Sequence, residues 1–315
     1  MRPILLAALV AIGALTGCSV ATATPSSDST DEPLIHAPPD PNAPASTSTD
    51  SRTFVVQSLD LGGATNDGWT TLGLDIDGQA TTRYSTGVCQ LAPGAAQVAQ
   101  TDGAGGIDNS FGENLLPILI TVLGSDLPDR LNASFASGAV NQFEVFGLGP
   151  SMSDATVMAN FDGAPFAGAW LTGGTLVGGP SAKEAQLLLG VATSNGYQAA
   201  ELTFPMTHIQ MVAPLADDGS SVQGGVLSAI IPTSEALTAL DRFARALDPN
   251  IEESSLASLE QQVGQASDIM VDGTQDPSKP CDGISLGLGF TAAVGAPPRV
   301  LHPSARSTAP FVLAH

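Results

Sequence analysis

Five oxygen-bearing side chains have types and spacings that suit the binding of a metal ion. They are Asp75, Asp77, Asp102, Asp108 and Asn109. Carboxylate and amide oxygens are ligands of calcium, which takes six to eight of them. If the stretch TDGAGGIDNSFGENLLP at 101–117 folds beside the first pair, the sequence predicts a calcium site. The alternative, favoured from sequence alone because it needs no tertiary contact, is a solvated acidic loop ahead of a buried helix.

The glycine-rich stretch does not fit the EF-hand pattern. Counting Asp102 as position one places Glu113 at position twelve, as an EF-hand requires. Ala104 and Gly106 then occupy positions three and five, which need side-chain oxygens. Ile107 stands at position six, where the sharp turn needs glycine. Any calcium site here is therefore of another kind.

The sequence offers little for catalysis. It contains no His-Glu-x-x-His, no phosphate loop and no Cys-x-x-Cys, and we predict no nucleophile elbow. The histidines are His36, His208, His302 and His315. Three of them lie near the ends of the chain, and His208 alternates with apolar residues, which is typical of a strand residue rather than a base. We therefore expect no enzyme, although the sequence does not decide this.

A carboxylate-dependent hydrolase of the glycosidase kind is the alternative function. A catalytic pair could be drawn from Asp75, Asp77, Asp108 and Glu113. Sugar sites usually offer aromatic platforms, and the chain has only two tryptophans and two tyrosines. That scarcity argues against both a glycosidase and a carbohydrate-binding module.

Residues 1–17 have the pattern of a signal peptide. One arginine precedes the apolar run ILLAALVAIGAL, which suits a signal-peptide core and is too short for a permanent membrane span. The run ends in Leu-Thr-Gly-Cys, which resembles the lipobox of bacterial lipoproteins. This resemblance implies that Cys18 is lipidated and anchors the exported chain to the cell membrane, or to the outer membrane if the bacterium has two. A plain secretory signal with a chance cysteine is the alternative.

The rest of the chain divides by composition. Residues 18–52 are rich in Ser, Thr, Pro and Ala, so they cannot bury enough apolar surface to fold, and we predict a disordered tether. We predict a single folded domain at 53–296 and a flexible tail at 297–315. A formal net charge of −21 argues against nucleic acid as a partner and favours divalent cations. We expect the ligand to be a molecule of the cell envelope or of the space outside the cell.

Two cysteines remain after Cys18, and an oxidising compartment favours their pairing. Cys89 and Cys281 are therefore predicted to form a disulfide, with two buried free thiols as the alternative. Such a bridge would tie the first part of the domain to its last strand.

Period-two alternation predicts that the domain is mainly β. Strands are predicted at 54–61, 72–77, 142–148, 155–161, 185–193, 199–215, 224–232 and 283–293. Asn114 and Pro117 predict the start of a buried helix, and 3.6-residue periodicity predicts a helical hairpin within 233–250 and 254–266. The predicted fold is an antiparallel β-sandwich, jelly-roll-like, with a buried helix and a helical hairpin insertion.

Four segments carry a wider resemblance. GWTTLGLDIDG, DGAGGIDNSFGENLLP, GGVLSAIIPTSEALTAL and CDGISLGLGFTAA resemble segments of uncharacterised envelope lipoproteins from social, predatory bacteria. The resemblance implies a lipid-anchored envelope protein and carries no catalytic residues. We expect a non-enzymatic binding or structural module; a hydrolase and a calcium-stabilised adhesion or recognition domain are the alternatives.

Overall fold

The computed structural model describes nine stretches of the chain. They are residues 44–62, 68–123, 126–127, 129, 141–149, 154–181, 183–191, 200–247 and 250–295. The predicted signal peptide, Cys18, the predicted tether up to residue 43 and the predicted tail lie outside these residues. Within the described stretches, no helix is both long enough and apolar enough to cross a membrane.

Ten strands form the main secondary structure of the described residues. They are β1 (Ser51–Asp60), β2 (Gln142–Phe146), β3 (Ala155–Phe161), β4 (Ala164–Pro165), β5 (Ala169–Thr172), β6 (Thr175–Gly178), β7 (Ala185–Val191), β8 (Ala200–Pro214), β9 (Ser221–Pro232) and β10 (Gly283–Val294). Their alternating buried and exposed residues follow the two-residue period of the sequence, as in β3. The short strands β4, β5 and β6 were not predicted, because the glycines around them interrupt the alternation.

All named strand pairs are antiparallel, and the sheet closes on itself. The order is β2-β1-β10-β9-β8-β6-β5-β3-β4, and β2 also pairs with β3. Strand β7 pairs with β8 outside this ring. The mainly antiparallel β fold predicted from the sequence is confirmed, and the closed order is consistent with the predicted sandwich.

Strand β10 is buried on both faces, which makes it the centre of the domain. Its residues from Gly283 to Phe290 are all buried. Ile284, Leu286 and Leu288 point into the main core, where they are fully enclosed. On the other face, a Cβ at Gly287 would lie 2.1 Å from the carbonyl oxygen of Leu72. Only glycine allows this close approach, which brings the 72–110 segment onto the sheet.

The described residues also form three α-helices, α1 (Leu116–Leu123), α2 (Thr233–Leu247) and α3 (Glu253–Gly264), and two short 3-10 helices, Gly68–Thr71 and Gln97–Gln100. Helices α2 and α3 connect β9 to β10, so the predicted hairpin insertion is confirmed. The predicted buried helix is also present, since Leu116 and Leu119 are 1% and 3% exposed. Its start was predicted too late: a π-helical turn, Phe111–Leu115, precedes α1, so Asn114 is not the cap.

The folded part begins before the predicted boundary at Thr53. Ser46 donates its backbone N–H to Thr156 in β3 over 2.9 Å, and its hydroxyl donates to the carbonyl of Gly147 over 2.6 Å. The hydroxyl of Ser48 donates to the carbonyl of Leu148. Serine side chains therefore dock this part of the predicted tether onto the sheet, although its composition alone predicts disorder.

Candidate metal site

Three of the five predicted metal ligands come together. Ligand oxygens of Asp75, Asp77 and Asp108 all lie within 4.8 Å of one another, and we call these residues the aspartate cluster. Asp75 and Asp77 are half-buried, and Asp108 is 2% exposed. Carboxylate oxygens at this separation can share one cation of calcium size.

The segment that carries Asp75 and Asp77 is not a strand, which corrects the prediction for 72–77. The Asp75 carboxylate accepts the backbone N–H of Gly78 over 2.6 Å, and the Asp77 carboxylate accepts that of Gln79 over 2.8 Å. Aspartates that bind the backbone two or three residues ahead favour turns over strands. The alternation of LGLDID therefore reflects two successive turns, which bring both carboxylates toward Asp108.

Asp108 is tied to the same segment from the other side. Its Oδ2 accepts the N–H of Ile76 over 2.6 Å, and its own N–H donates to the carbonyl of Leu74. Among the described residues, Ile76 supplies the one side-chain hydrogen bond to Asp108. The Oδ1 atom of Asp108 therefore has no hydrogen bond among the described residues and can accept another partner, although Asp108 is almost fully buried.

Asn109 serves the fold rather than the cluster. Its Oδ1 accepts the backbone N–H groups of Gly112 and Gly287, each over 3.0 Å. Its Nδ2 donates to the carbonyl of Leu72 over 2.8 Å and, more weakly, to that of Trp69. This amide joins the π-helical turn, β10 and the 69–72 segment, so we leave Asn109 out of the ligand set proposed below.

Asp102 lies next to the cluster and holds a neighbouring loop. Its carboxylate accepts the N–H of Thr81, and its own N–H donates to the carbonyl of Thr81 over 3.0 Å. Its charge acts on the aspartate cluster, since Asp75 and Asp77 both contribute to raising its pKa. Asp102 is thus close enough for the charges of the aspartate cluster to affect its pKa, but its carboxylate is hydrogen-bonded to Thr81.

Sequence analysis missed a fifth carboxylate, Asp268. It lies between α3 and β10, is 6% exposed and accepts both the N–H and the hydroxyl of Ser285 over 2.9 and 2.5 Å. The hydroxyl of Ser285 in turn accepts the N–H of Ser110 over 2.8 Å. No local pattern marks Asp268, because it meets the other aspartates only through the packing of distant segments.

Burial and mutual repulsion raise the pKa values of three carboxyl groups. Burial raises the pKa of Asp102 to about 8, and the charges of neighbouring carboxylates add to this. Burial raises the pKa of Asp108 well above its usual range, helped by the charge of Asp77, and raises the pKa of Asp268 to about 7. No basic side chain is among the main influences on these three groups. The site therefore concentrates negative charge that a bound cation would stabilise.

An unpaired hydroxyl lies beside the acidic groups. Thr81, whose N–H donates to Asp102, is 5% exposed, and its Oγ1 has no hydrogen-bond partner among the described residues. A buried hydroxyl without a partner costs free energy, and such groups often mark the place of an ordered water or ion. A hydrated cation held by the aspartate cluster could supply that partner.

The predicted disulfide is present and is linked to the aspartate cluster. Cys89 and Cys281 are bonded, with Cα atoms 5.1 Å apart. The N–H of Cys89 donates to Oε1 of Gln275 over 2.9 Å, and Nε2 of Gln275 donates to Oδ2 of Asp77 over 2.7 Å. One glutamine side chain therefore connects the disulfide to a carboxylate of the cluster.

One string with nucleophile spacing was overlooked in the sequence. GISLG, residues 283–287, matches Gly-x-Ser-x-Gly. A nucleophile elbow needs a strand-to-helix turn with an exposed serine. Here Ser285 lies inside β10, is fully buried and donates to Asp268. It is a structural residue of the buried polar network.

His208 lies in a strand, as predicted, but in an unusual conformation. It stands in β8 at a register irregularity between Thr207 and Gln210, with φ of 50°. Its Nδ1 is buried without a partner among the described residues, and it lines a cavity of about 450 Å³ with Asp272 and Asp282. Each of these aspartates accepts a backbone N–H, from Thr274 and Val271 respectively, and so holds a turn.

Comparisons with protein-family models, with curated proteins and with solved structures find no match for this chain. The candidate site therefore rests on its own geometry and chemistry. The resemblance to envelope lipoproteins stays an expectation from the sequence.

Proposed function

We propose that this is an exported protein, lipid-anchored to the cell envelope through Cys18, whose folded domain is a non-enzymatic recognition module stabilised by calcium. The observation that carries the calcium part is the convergence of Asp75, Asp77 and Asp108 within 4.8 Å, with the buried Asp108 at the base. The signal-peptide pattern and lipobox-like sequence of residues 1–18 support the anchor. The ligand of the module is an envelope or extracellular molecule.

Calcium fits this site better than magnesium or zinc. The cluster offers only hard carboxylate oxygens, whereas zinc prefers nitrogen and sulfur. Its three carboxylates differ in burial and come from two separate segments, an irregular arrangement that calcium accepts and magnesium, which needs near-ideal octahedral geometry, does not. Three carboxylates supply up to six oxygens, so water can complete the shell.

A carboxylate-dependent hydrolase is the second candidate, favoured by the raised pKa of Asp102, which suits a general acid. Access to the other groups argues against it. Asp108 and Asp268 are 2% and 6% exposed, which leaves no room for a sugar ring against them. A small ion can reach the cluster where a glycoside cannot. Turnover of any glycoside, abolished by Asp102→Asn, would favour the hydrolase instead.

Calcium is expected to raise the unfolding temperature of the full chain relative to chelator. A hundredfold excess over the dissociation constant stabilises the native state by roughly 2.7 kcal/mol, which corresponds to about 5–10 °C for a domain of this size. Asp75→Asn should remove most of this shift, because it deletes one ligand charge while its amide oxygen can still accept the N–H of Gly78. Thermal unfolding followed by circular dichroism measures both effects.

The matched control is Glu260→Gln, which removes one negative charge from the exposed face of α3. It should respond to calcium as the wild type does. Equal unfolding temperatures in calcium and in chelator for the wild type would contradict the calcium proposal. If Glu260→Gln lost as much of the calcium response as Asp75→Asn, the response would reflect general charge screening and not a site at the aspartate cluster.

The anchor has a separate test. In the native bacterium, the wild-type chain is expected in the membrane fraction, and Cys18→Ser is expected to leave it, because several acyl chains on one residue make attachment effectively stable. Fractionation followed by immunoblotting measures this. A Cys18→Ser chain that sediments with membranes as completely as the wild type would contradict lipid anchoring at this residue.

A further inference from the structure

A cleft beside the acidic site is lined by one of the two tryptophans and one of the two tyrosines of the chain. It has a volume of about 430 Å³, and its walls include Trp69 and Tyr84. The whole chain contains only two tryptophans and two tyrosines, so their meeting in one cleft is a concentrated feature. Tyr84 is 74% exposed, the largest exposed fraction among the large apolar side chains of the described residues.

The loop that presents Tyr84 is held in place by its own hydrogen bonds. The N–H of Thr82 donates to the hydroxyl of Ser85 over 3.0 Å, and the N–H of Tyr84 donates to the hydroxyl of Thr82 over 3.3 Å. The guanidinium of Arg83 lies 4.7 Å from the centre of the Tyr84 ring, a cation–π contact. The guanidinium therefore lies over one face of the ring, while most of the Tyr84 side chain remains exposed to solvent.

Polar side chains line the same cleft. Thr101 lines it, and its buried Oγ1 has no hydrogen-bond partner among the described residues. Arg83 and Glu113 add a guanidinium and a carboxylate to the walls. Aromatic rings and charged, hydrogen-bonding side chains therefore share one cleft, as is common in sites for small ligands.

We propose that this cleft binds a neutral saccharide. A sugar ring offers an apolar face of C–H groups that can stack on Tyr84 or Trp69, and hydroxyls that can accept from Arg83 and donate to Glu113. An anionic polymer is opposed by the net charge of −21. A purely apolar partner would desolvate the guanidinium of Arg83 without supplying a hydrogen bond. The scarcity of aromatic residues, which argued against carbohydrate binding from sequence, loses its force because the fold brings two of them together.

This inference deepens the proposed recognition function by naming its ligand class, and it does not require the cation. The cleft and the aspartate cluster share no residue, although Thr81 and Asp102 lie next in sequence to the cleft residues Thr82 and Thr101. Loss of saccharide binding therefore leaves the calcium proposal standing, and loss of calcium binding leaves the cleft standing.

The test is calorimetric titration of the full chain, in calcium-containing buffer, with four separate probes: cellohexaose, maltohexaose, laminarihexaose and chitohexaose. We expect saturable binding of at least one, with a dissociation constant on the order of 1 mM or tighter. Tyr84→Ala should weaken that binding about fivefold or more, as loss of an aromatic anchor does. Tyr84 is exposed, so the variant should fold, which circular dichroism checks.

Met158→Ala is the matched control, because it also truncates a highly exposed apolar side chain, on β3 and outside the lining of the cleft. It should bind as the wild type does. The absence of saturable binding to all four probes, or equal binding by Tyr84→Ala, would overturn the inference.

Discussion

Loss of the Cys89–Cys281 bridge is expected to cause the largest fall in stability of any change considered. The bridge spans 192 residues, and the chain-entropy model gives a loss of about 5 kcal/mol in the free energy of unfolding when so long a loop is opened. For a domain of this size, this corresponds to roughly 10–20 °C in the unfolding temperature. Denaturant unfolding of the wild type with and without reductant measures the difference.

The variant Cys89→Ser/Cys281→Ser is the control for this experiment. It should have the stability of the reduced wild type and should not respond to reductant. Because Gln275 bonds both the N–H of Cys89 and the carboxylate of Asp77, we also expect weaker calcium stabilisation in the variant. A reduced protein that unfolds within about 1 kcal/mol of the oxidised protein would contradict the role assigned to the bridge.

Stability in chelator is expected to fall as the pH rises from 5 to 8. The pKa values of Asp102 and Asp268 are raised from 3.8 to about 8 and about 7, and that of Asp108 is raised well above its usual range. In this window the folded state holds more protons than the unfolded state. The stabilisation from these three carboxyl groups is therefore complete below pH 3.8 and is lost as the pH rises through their folded pKa values. Asp268 alone corresponds to at most about 4 kcal/mol.

Thermal unfolding in 0.5 M salt at several pH values measures this decline while screening general repulsion. Calcium should flatten it, because a bound cation favours the charged carboxylates. Asp268→Asn should reduce the slope, since its amide can keep hydrogen bonds to Ser285 without a charge. Stability that increases steadily from pH 5 to 8 in chelator would contradict the burial of these groups.

At lower pH a second effect takes over. Hydrogen bonds from Ser278 lower the pKa of Asp276 to about 2, and those from Thr274 lower the pKa of Asp272. Groups with lowered pKa values stabilise the fold above their unfolded pKa and lose this contribution as the pH falls. The stability of the chelated protein is therefore expected to be greatest near pH 4, about the unfolded pKa of these carboxyl groups.

Much of the fold was predictable because long strands carry a two-residue period. Strand β3 coincides with its prediction at 155–161, and β8, β9 and β10 were each found within a few residues. The same pattern misled at 72–77, where the alternating aspartates accept backbone N–H groups and form turns instead. The two-residue period shows which positions are polar. It does not show whether a polar side chain accepts backbone hydrogen bonds in place of a neighbouring strand.

The candidate site was predictable in part for a similar reason. Asp75, Asp77 and Asp108 could be selected by residue type and close spacing, although Asp75 and Asp77 were predicted to lie in a strand. Asn109 shares that pattern, yet its amide bonds four backbone groups, which depends on the approach of β10. Asp268 has no distinguishing neighbour in sequence and joins the site only through tertiary packing. The sequence therefore indicates which residues have side chains of the ligand type. It does not indicate which of them form the aspartate cluster and which hydrogen-bond the backbone instead.

The most direct test of the calcium site is a calorimetric titration of the chelator-treated full chain with calcium at pH 8. The wild type is expected to bind one ion saturably. The variant Asp75→Asn/Asp108→Asn, which removes two of the three charges of the aspartate cluster, is expected to give no saturable heat. A wild type that gives no saturable heat, or a variant that binds as tightly as the wild type, would contradict the assignment of this cluster as a calcium site.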